Sequence, residues 1–301
     1  TSGLVSQGMD VLLVGPLPTP AVAHLTKSMG CCAGIMLTAS HNPSDDNGLK
    51  IFGHDGFKLS DDLETQIEAH VLEGVSQDEA PLSDGIGKAY RVEDGKGRYI
   101  EYVKGIVGSR NLEGMKVVVD AAHGAGYHLG PLILEEMGAE VIATGTSPNG
   151  LNINEDCGAL YPGTTEALVK MHGADVGVAF DGDADRVIFV DHTGTRVSGD
   201  RILALSALGL KAEGKLHLDT MVVTSMTNLG LIDGLKEHGI KVEITGVGDR
   251  LVIERMRTHS YVFGGENSGH VIFGEHSTTG DGILTALKVL SWMNEKSLTL
   301  V

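Results

Sequence analysis

Apolar residues occur in short runs that alternate with amphipathic stretches along almost the whole chain. A short apolar run between turn residues is typical of a buried strand, whereas apolar residues spaced three and four apart indicate a helix. The runs predict strands over 11–14, 34–37, 49–52, 116–120, 140–143, 176–180, 187–190, 221–224, 242–245, 261–263 and 271–273. The amphipathic stretches predict helices over 20–29, 61–71, 98–107, 129–137, 165–172, 200–210, 229–237, 250–257 and 281–294.

This alternation of strands and helices favours an α/β fold with parallel or mixed sheets. We expect three consecutive α/β units, over 1–110, 111–214 and 215–301, each with a mixed sheet flanked by helices. Units of about 100 residues fit the usual size of a domain. The active-site cleft is expected to lie between the units. The polar, glycine-rich stretch over 74–88 is predicted to be a loop or linker.

Charge and cysteine content narrow the classes of partner. Across 301 residues, 23 Lys and Arg stand against 40 Asp and Glu, a net charge of −17. Such an acidic chain is poorly suited to nucleic acid or to an anionic membrane surface, and no stretch approaches the ~20 apolar residues of a membrane span. Three cysteines without a paired framework are typical of a reducing compartment. We therefore expect a cytoplasmic protein, as a monomer or homodimer, and the start at Thr1 suggests a piece of a longer protein.

A hydroxyl follows the second predicted strand, in the sequence T-A-S-H-N-P over 38–43. Polar side chains at strand ends are where α/β proteins gather their sites. The segment can be an ordinary polar turn, and a serine hydrolase is disfavoured because the G-x-S-x-G elbow is missing. The third possibility is that Ser40 carries a phosphoryl group, which requires a metal and cations nearby.

Three carboxylates follow the strand predicted over 176–180, at alternate positions of the sequence D-G-D-A-D-R. They are Asp181, Asp183 and Asp185. They can converge on one hard cation, and Mg²⁺ prefers oxygen ligands and often takes a phosphate oxygen. An EF-hand is excluded, since its sixth position would be Arg186 instead of Gly and its twelfth His192 instead of Glu. An aspartyl-phosphate phosphatase with Asp181 as nucleophile and a solvated acidic loop are the alternatives.

A third motif, G-G-E-N-S-G-H over 264–270, also follows a predicted strand. Glu266 and Ser268 stand among glycines and can offer an acceptor and a hydroxyl to neighbouring sugar hydroxyls, although a glycine-rich turn with a capping Glu is possible. Two cations accompany the motifs. Lys50 lies ten residues after Ser40 and can fold back toward it, and Arg250 stands at a predicted helix start.

Together, T-A-S-H-N-P, D-G-D-A-D-R and G-E-N-S-G-H resemble the phosphoserine, metal and sugar loops of the α-D-phosphohexomutase superfamily, in that family's order and over nearly the whole chain. Within the superfamily the chain is most similar to bacterial members that act on glucosamine phosphate. The features of that likeness are Asn267, P-N-G-L-N-I-N over 148–154, V-G-D-R over 247–250 and G-P-L-P-T-P over 15–20.

The resemblance implies a mechanism in which phosphorylated Ser40 gives its phosphoryl group to a hexosamine monophosphate. A bisphosphate forms, turns over in the cleft and returns its other phosphate to Ser40. Mg²⁺ would bind the three aspartates and a phosphate oxygen on Ser40. The implied catalytic set is Ser40, Lys50, His41 and Arg186. Lys50 is the first general acid/base candidate, if neighbouring cations lower its pKa, and His41 is the second.

For the substrate, the resemblance implies contacts from four residues near the sugar loop. They are Glu266, Ser268, His270 and Arg250. The family has four domains, and the chain matches most of the first, then the second and third. We expect the family's N-terminal segment, and the fourth domain with the loop that binds the substrate phosphate, to lie outside this chain. A phosphomannomutase or phosphoglucomutase, and a fragment that binds metal and sugar phosphate without turnover, are the alternatives.

Overall fold

The computed structural model describes residues 1–74, 81 and 83–300. Its first part contains helices and short strands that form two small sheets. They are α1 (Ser2–Ser6), β1 (Val11–Leu13), α2 (Thr19–Ser28), β2 (Ala33–Thr38), β3 (Gly48–Gly53), α3 (Asp61–Glu73), β4 (Ala89–Arg91) and α4 (Gly95–Val107). Strand β1 pairs in parallel with β4, and β2 pairs antiparallel with β3. The second ladder sets Met36 opposite Lys50 and Thr38 opposite Gly48, so that Lys50 returns toward the end of β2.

The middle part is built on a five-stranded mixed sheet. Its elements are β5 (Lys116–Asp120), α5 (Leu129–Glu136), β6 (Glu140–Thr144), α6 (Gly163–His172), β7 (Val176–Phe180), β8 (Val187–Asp191) and β9 (Arg196–Val197). The strand order is β6-β5-β7-β8-β9, with β6, β5 and β7 parallel and the last two antiparallel. All residues of β7 and β8 are buried, which explains their continuous apolar sequence.

The last part has a four-stranded mixed sheet in the order β11-β10-β12-β13. Its elements are α7 (Gly199–Ala212), β10 (Thr220–Thr224), α8 (Leu229–Glu237), β11 (Lys241–Thr245), α9 (Asp249–His259), β12 (Phe263–Gly265), β13 (Val271–Phe273) and α10 (Gly282–Lys296). The antiparallel pair β12 and β13 encloses residues 266–270, so the third motif is the turn of a hairpin.

Helix α10 joins the parts of the molecule. It is buried from Gly282 to Met293 and packs on α4, on α7 and on strands β7, β8 and β13. Its N-cap is Asp281, whose carboxylate accepts hydrogen bonds from Leu284 N at 2.9 Å and from the hydroxyl of Tyr99 at 2.8 Å. Burial raises the pKa of Asp281 to about 6, although these hydrogen bonds oppose that shift. The buried hydrogen bonds of Asp281 thereby fix where helix α10 begins.

The predicted fold class of α/β units with mixed sheets flanked by helices is confirmed. The strand predicted over 261–263 instead begins at Phe263, and the helix predicted over 98–107 begins at Gly95, where two glycines weaken the helical signal. Within the predicted loop 74–88, residues 75–80 and 82 lie outside the described residues, while Ser83–Gly85 forms a 3₁₀ turn. No helix in the described part of the chain is long and apolar enough to cross a bilayer.

Candidate active site

Ser40 lies two residues beyond the end of β2, in a backbone conformation with φ of 54°. Its own N–H donates to Thr38 Oγ1 at 2.7 Å. From the middle part of the chain, Asn154 Nδ2 donates to the carbonyl oxygens of Ser40 at 2.9 Å and of Asn42 at 2.8 Å. A non-glycine residue in this region costs of order 1 kcal/mol or more, so the surrounding hydrogen bonds hold the serine where it stands.

The three aspartates of the second motif are buried just beyond the carboxyl end of β7. One potential ligand atom from each lies within 4.8 Å of the others. Among the described residues, Asp181 Oδ2 and Asp185 Oδ1 are buried and have no hydrogen-bond partner. Orphaned buried oxygens require an explanation, and a cation that takes oxygen ligands supplies one. The residues therefore fit a metal ion.

Lys50 bridges the serine and the carboxylates. Its Nζ lies 2.5 Å from Asp183 Oδ2, 2.8 Å from Asp185 Oδ2 and 3.5 Å from Ser40 Oγ. Burial disfavours the ammonium ion, but the negative charges of Asp185 and Asp183 outweigh it and raise the pKa of Lys50. The expectation of an acid/base role required neighbouring cations, and the neighbours are anions instead. Lys50 therefore provides a fixed positive charge beside the serine.

The pKa values of Asp181 and Asp185, the first and last carboxyls of the loop, are shifted in opposite directions. Burial, with the charges of Asp185 and Asp183, holds the pKa of Asp181 well above its usual range. Burial also acts on Asp185, but His270 and Lys50 hold the pKa of that carboxyl well below its usual range. The carboxyl that favours its charged form is thus Asp185, which faces Lys50 and His270.

His41 lies beside Ser40, and Arg186 is close enough for its charge to act on His41. His41 Nδ1 lies 3.4 Å from Ser40 Oγ. Burial and the charge of Arg186 lower the pKa of His41 against the opposing pull of Asp185 and Asp183, which favours a neutral imidazole. The Arg186 backbone N–H donates to Asp181 Oδ1 at 3.1 Å, while its Nε is buried without a partner among the described residues. A guanidinium donor without a partner in the described part of the chain, close enough to act on His41, suits a phosphoryl oxygen.

The hairpin turn of the third motif lies against the metal loop, because Val187 N donates to Gly269 O at 3.1 Å. Glu266 is half-buried, and its Oε1 accepts a hydrogen bond from Gly248 N at 3.1 Å. Ser268 Oγ is buried without a hydrogen-bond partner in the described part of the chain. A carboxylate and a free hydroxyl on one turn can receive a polyhydroxyl ligand.

Arg250 is engaged elsewhere. It pairs with Glu64 of α3 at 2.8 Å and with Asp61, and so ties helix α9 to the first part of the chain. Its predicted contact with substrate stays a prediction.

Two further polar residues support the site and were not singled out from the sequence. Thr19 donates through Oγ1 to Asp183 Oδ2 at 2.5 Å and through its backbone N–H to Asp183 O at 3.0 Å. Asn154 clamps the serine loop, as described above. Both lie in short motifs, G-P-L-P-T-P and P-N-G-L-N-I-N, which are part of the family likeness but whose prolines, asparagines and glycines indicate only turns. Only the fold shows that these turns reach the serine and metal loops.

Comparisons with known proteins identify the family to which the chain belongs. Profiles of phosphoglucomutase/phosphomannomutase α/β/α domains I, II and III match residues 1–78, 97–194 and 198–301. A phosphoglucomutase/phosphomannomutase family protein of Burkholderia thailandensis superposes with a TM-score of 0.84 at 26% identity, covering 97% of this chain and 64% of that one. The chain belongs to this family, the α-D-phosphohexomutases, as the three motifs predicted.

Among curated relatives, phosphoglucosamine mutase of Bdellovibrio bacteriovorus is 53% identical over 98% of this chain and 65% of its own length. Phosphoglucosamine mutase of Nitratidesulfovibrio vulgaris is 52% identical over 98% of this chain and 66% of its own length. The chain thus spans about 65% of the length of the curated relatives that it matches.

Proposed function

We propose that the protein is a phosphoglucosamine mutase, which interconverts glucosamine 6-phosphate and glucosamine 1-phosphate through phosphorylated Ser40 and a bisphosphate intermediate. One observation carries this proposal: the Ser40 hydroxyl lies within 3.5 Å of Lys50 Nζ and 3.4 Å from Asp183 Oδ1, beside buried carboxylates that fit a cation. The curated relatives at about 50% identity support glucosamine phosphate as the substrate.

Mg²⁺ is the cation that we propose, because the donor set consists of carboxylate oxygens and a phosphate oxygen. The residues that would hold it are Asp181, Asp183, Asp185 and the phosphorylated Ser40. Bound there, it would stabilise the charge of the transferring phosphoryl group.

In the first transfer, the bond between phosphorus and Ser40 Oγ breaks as a free sugar hydroxyl forms its own bond to phosphorus. The proton of that hydroxyl passes by way of the His41 imidazole to Ser40 Oγ, which lies 3.4 Å from His41 Nδ1 and leaves as the neutral hydroxyl. Lys50 and Arg186 face the non-bridging phosphoryl oxygens with positive charge, which is the main requirement of phosphoryl transfer. In the second transfer the Ser40 hydroxyl attacks the other phosphoryl group of the reoriented bisphosphate, the bond from that phosphorus to the sugar oxygen breaks, and the serine proton passes by way of His41 to that sugar oxygen.

Glu266 and Ser268 would hold sugar hydroxyls in either orientation of the bisphosphate, while the serine and the carboxylates stay in place. We propose that the chain consists of three domains, over 1–110, 111–214 and 215–301. We also propose a cytoplasmic protein, monomeric or homodimeric, whose partners are the sugar monophosphates and the bisphosphate.

Intact and peptide mass spectrometry tests the central step. The chain is incubated with glucosamine 1,6-bisphosphate and then with glucosamine 6-phosphate. We expect one phosphoryl group on Ser40, lost again to the monophosphate. Ser40→Ala should abolish it, while Ser44→Ala, a matched change in the same loop, should retain it. Phosphate on another residue would overturn the proposal.

The family profile and the Burkholderia structure carry the name phosphoglucomutase/phosphomannomutase, which favours hydroxyl sugars as a second candidate substrate class. Rates of phosphoryl transfer to the 6-phosphates of glucosamine, glucose and mannose separate the two. We expect glucosamine 6-phosphate to be preferred. Faster transfer to glucose or mannose phosphate would leave the phosphoserine mechanism intact and overturn the assignment of the amino sugar.

A further inference from the structure

Asn154 belongs to the loop between β6 and α6, yet its side chain reaches the serine loop, 114 residues earlier in the chain. Its amide nitrogen donates two hydrogen bonds, to Ser40 O at 2.9 Å and to Asn42 O at 2.8 Å. The residue is buried. We propose that Asn154 is a positioning residue for phosphoryl transfer, which holds Ser40 in the backbone conformation that directs its hydroxyl toward the metal loop.

The two partners determine the orientation of the amide. Both are carbonyl oxygens, which only accept, so the NH₂ group and not the amide oxygen of Asn154 must face them. The two hydrogens of that group serve both carbonyls at once. The backbone of Asn154 is held as well, because its N–H donates to Ala122 O at 2.9 Å, just beyond strand β5. The amide is thereby fixed to the middle part of the chain, from which it holds the serine loop.

Ser40 needs this support because its backbone has a φ of 54°, in the left-handed region. A residue with a side chain keeps such a conformation only where its surroundings enforce it. The N–H of Ser40 donates to Thr38 Oγ1 at 2.7 Å, and its carbonyl oxygen accepts from Asn154. Loss of the amide would free the peptide group that follows Ser40 to turn. The hydroxyl would then leave its position 3.4 Å from Asp183 Oδ1.

The metal loop meets the serine loop at this same amide, and glycine at position 182 allows it. A Cβ atom on Gly182 would overlap Ser40 O and lie 2.8 Å from Asn154 Nδ2. Any displacement of the serine loop therefore changes the distance between Ser40 and the buried carboxylates. Phosphoryl transfer depends mainly on positioning and charge, and a misplacement of about 1 Å can cost about 100-fold in rate.

The inference rests on the proposed phosphorylation of Ser40, so the test follows that step in Asn154→Asp and Asn154→Gly. Both replacements tolerate the φ of 58° at this position, and both lack the amide donors. The matched control is Asn149→Asp in the same loop. The amide oxygen of Asn149 accepts from Leu151 N at 2.8 Å and from Asn152 N at 3.0 Å, and a carboxylate can accept the same bonds.

Single-turnover phosphorylation by glucosamine 1,6-bisphosphate is followed by mass spectrometry. We expect both Asn154 variants to react about 10–100-fold more slowly at saturating bisphosphate, with the half-saturating concentration unchanged. Titration calorimetry should give the parent's Mg²⁺ affinity, because the three aspartates are intact. A rate equal to the parent's, a change only in the half-saturating concentration, or an equal loss of Mg²⁺ affinity would overturn the positioning role.

Amide hydrogen exchange tests the same role without any turnover. We expect faster exchange over 38–46 in both Asn154 variants than in the parent and in Asn149→Asp, with protection of strand β5 retained. Unchanged exchange over 38–46, or loss of protection in β5 as well, would overturn the role. A parent that takes no phosphoryl group from the bisphosphate would overturn the proposed function, and exchange over 38–46 would still decide whether Asn154 holds the serine loop.

Discussion

Nζ of Lys50 lies 2.5 Å from Oδ2 of Asp183, and the other oxygen of that carboxylate faces the Ser40 hydroxyl at 3.4 Å. The buried carboxylate of Asp183 therefore contacts both the Ser40 hydroxyl and the Lys50 ammonium. Thr19 Oγ1 donates to the same Oδ2 at 2.5 Å, which fixes the orientation of the carboxylate from the first part of the chain. The serine, lysine and metal loops form one electrostatic unit, and substitutions within it should act on metal binding and stability together.

Asp183→Asn should weaken Mg²⁺ binding by at least about tenfold, since even the partners of metal ligands typically contribute that much. The neutral amide removes one of three negative charges and offers a weaker oxygen ligand. Titration calorimetry measures the affinity, with the exposed serine-loop residue Asp45 changed to Asn as the matched control. Unchanged Mg²⁺ affinity in Asp183→Asn would refute its place among the ligands.

Lys50→Met should destabilise the metal-free chain by about 3–5 kcal/mol, because it leaves buried carboxylates without the ammonium that neutralises them. Mg²⁺ should reduce this loss, since the bound ion neutralises the same charges and stabilises the native state by mass action. Urea unfolding in EDTA and in saturating Mg²⁺ checks both statements, with exposed Lys27→Met as the control. An equal loss under the two conditions would separate Lys50 from the metal site.

The sequence predicted the fold class and the loops that supply the candidate site, because both depend on local pattern. The apolar run over 176–180 and the alternating aspartates after it specify a buried strand followed by a ligand loop. The return of Lys50 toward Ser40 was also predictable, since the register of β2 and β3 brings position 50 back beside the end of β2. These are features in which a short segment determines its own geometry.

What could not be predicted depends on contacts between distant segments. The pairing of Arg250 with Glu64 requires α9 to lie beside α3, 186 residues earlier in the chain. The anionic surroundings of Lys50 likewise follow from the approach of the metal loop, 133 residues away. Long-range packing determines the charge environment of such groups, and the local sequence does not contain that information.

Lys288 gives a pH-dependent prediction away from the active site. It is buried on α10, with Nζ 5.1 Å from the centre of the Phe273 ring and 5.7 Å from that of Trp292. Burial lowers its pKa to about 8, although the charge of Glu213 opposes the shift. Between about pH 8 and the unfolded pKa near 10.4, the unfolded chain binds more protons, so stability rises with pH there. Below about pH 8 the full cost of the buried charge remains.

Lys288→Met should therefore stabilise the chain by about 1–3 kcal/mol at pH 7, and this gain should shrink as the pH approaches 10. Urea unfolding across that range measures the difference, and Lys296→Met at the exposed end of the same helix is the control. A gain that does not vary with pH would show that packing, not the charge of Lys288, is responsible.

Glu266 should select and hold the sugar without taking part in the phosphorylation of Ser40. Its Oε1 accepts a hydrogen bond from Gly248 N at 3.1 Å, so the carboxylate is held at the turn of the β12–β13 hairpin. From there it can accept hydrogen bonds from two sugar hydroxyls or pair with a 2-ammonium group. Bonds to a charged group are worth about 1.5–3 kcal/mol, which corresponds to about one to two orders of magnitude in rate.

Glu266→Gln should accordingly slow phosphoryl transfer from Ser40 to glucosamine 6-phosphate by about 10–100-fold. Phosphorylation of Ser40 by a small donor without a sugar, such as acetyl phosphate, should change much less, because that donor has no hydroxyls to hold. Both reactions are followed by mass spectrometry, and Glu254→Gln on the exposed side of α9 is the matched control. If the two reactions slow by equal factors, Glu266 acts on the transferring phosphoryl group, and the separation of sugar binding from phosphoryl transfer between the two loops is wrong.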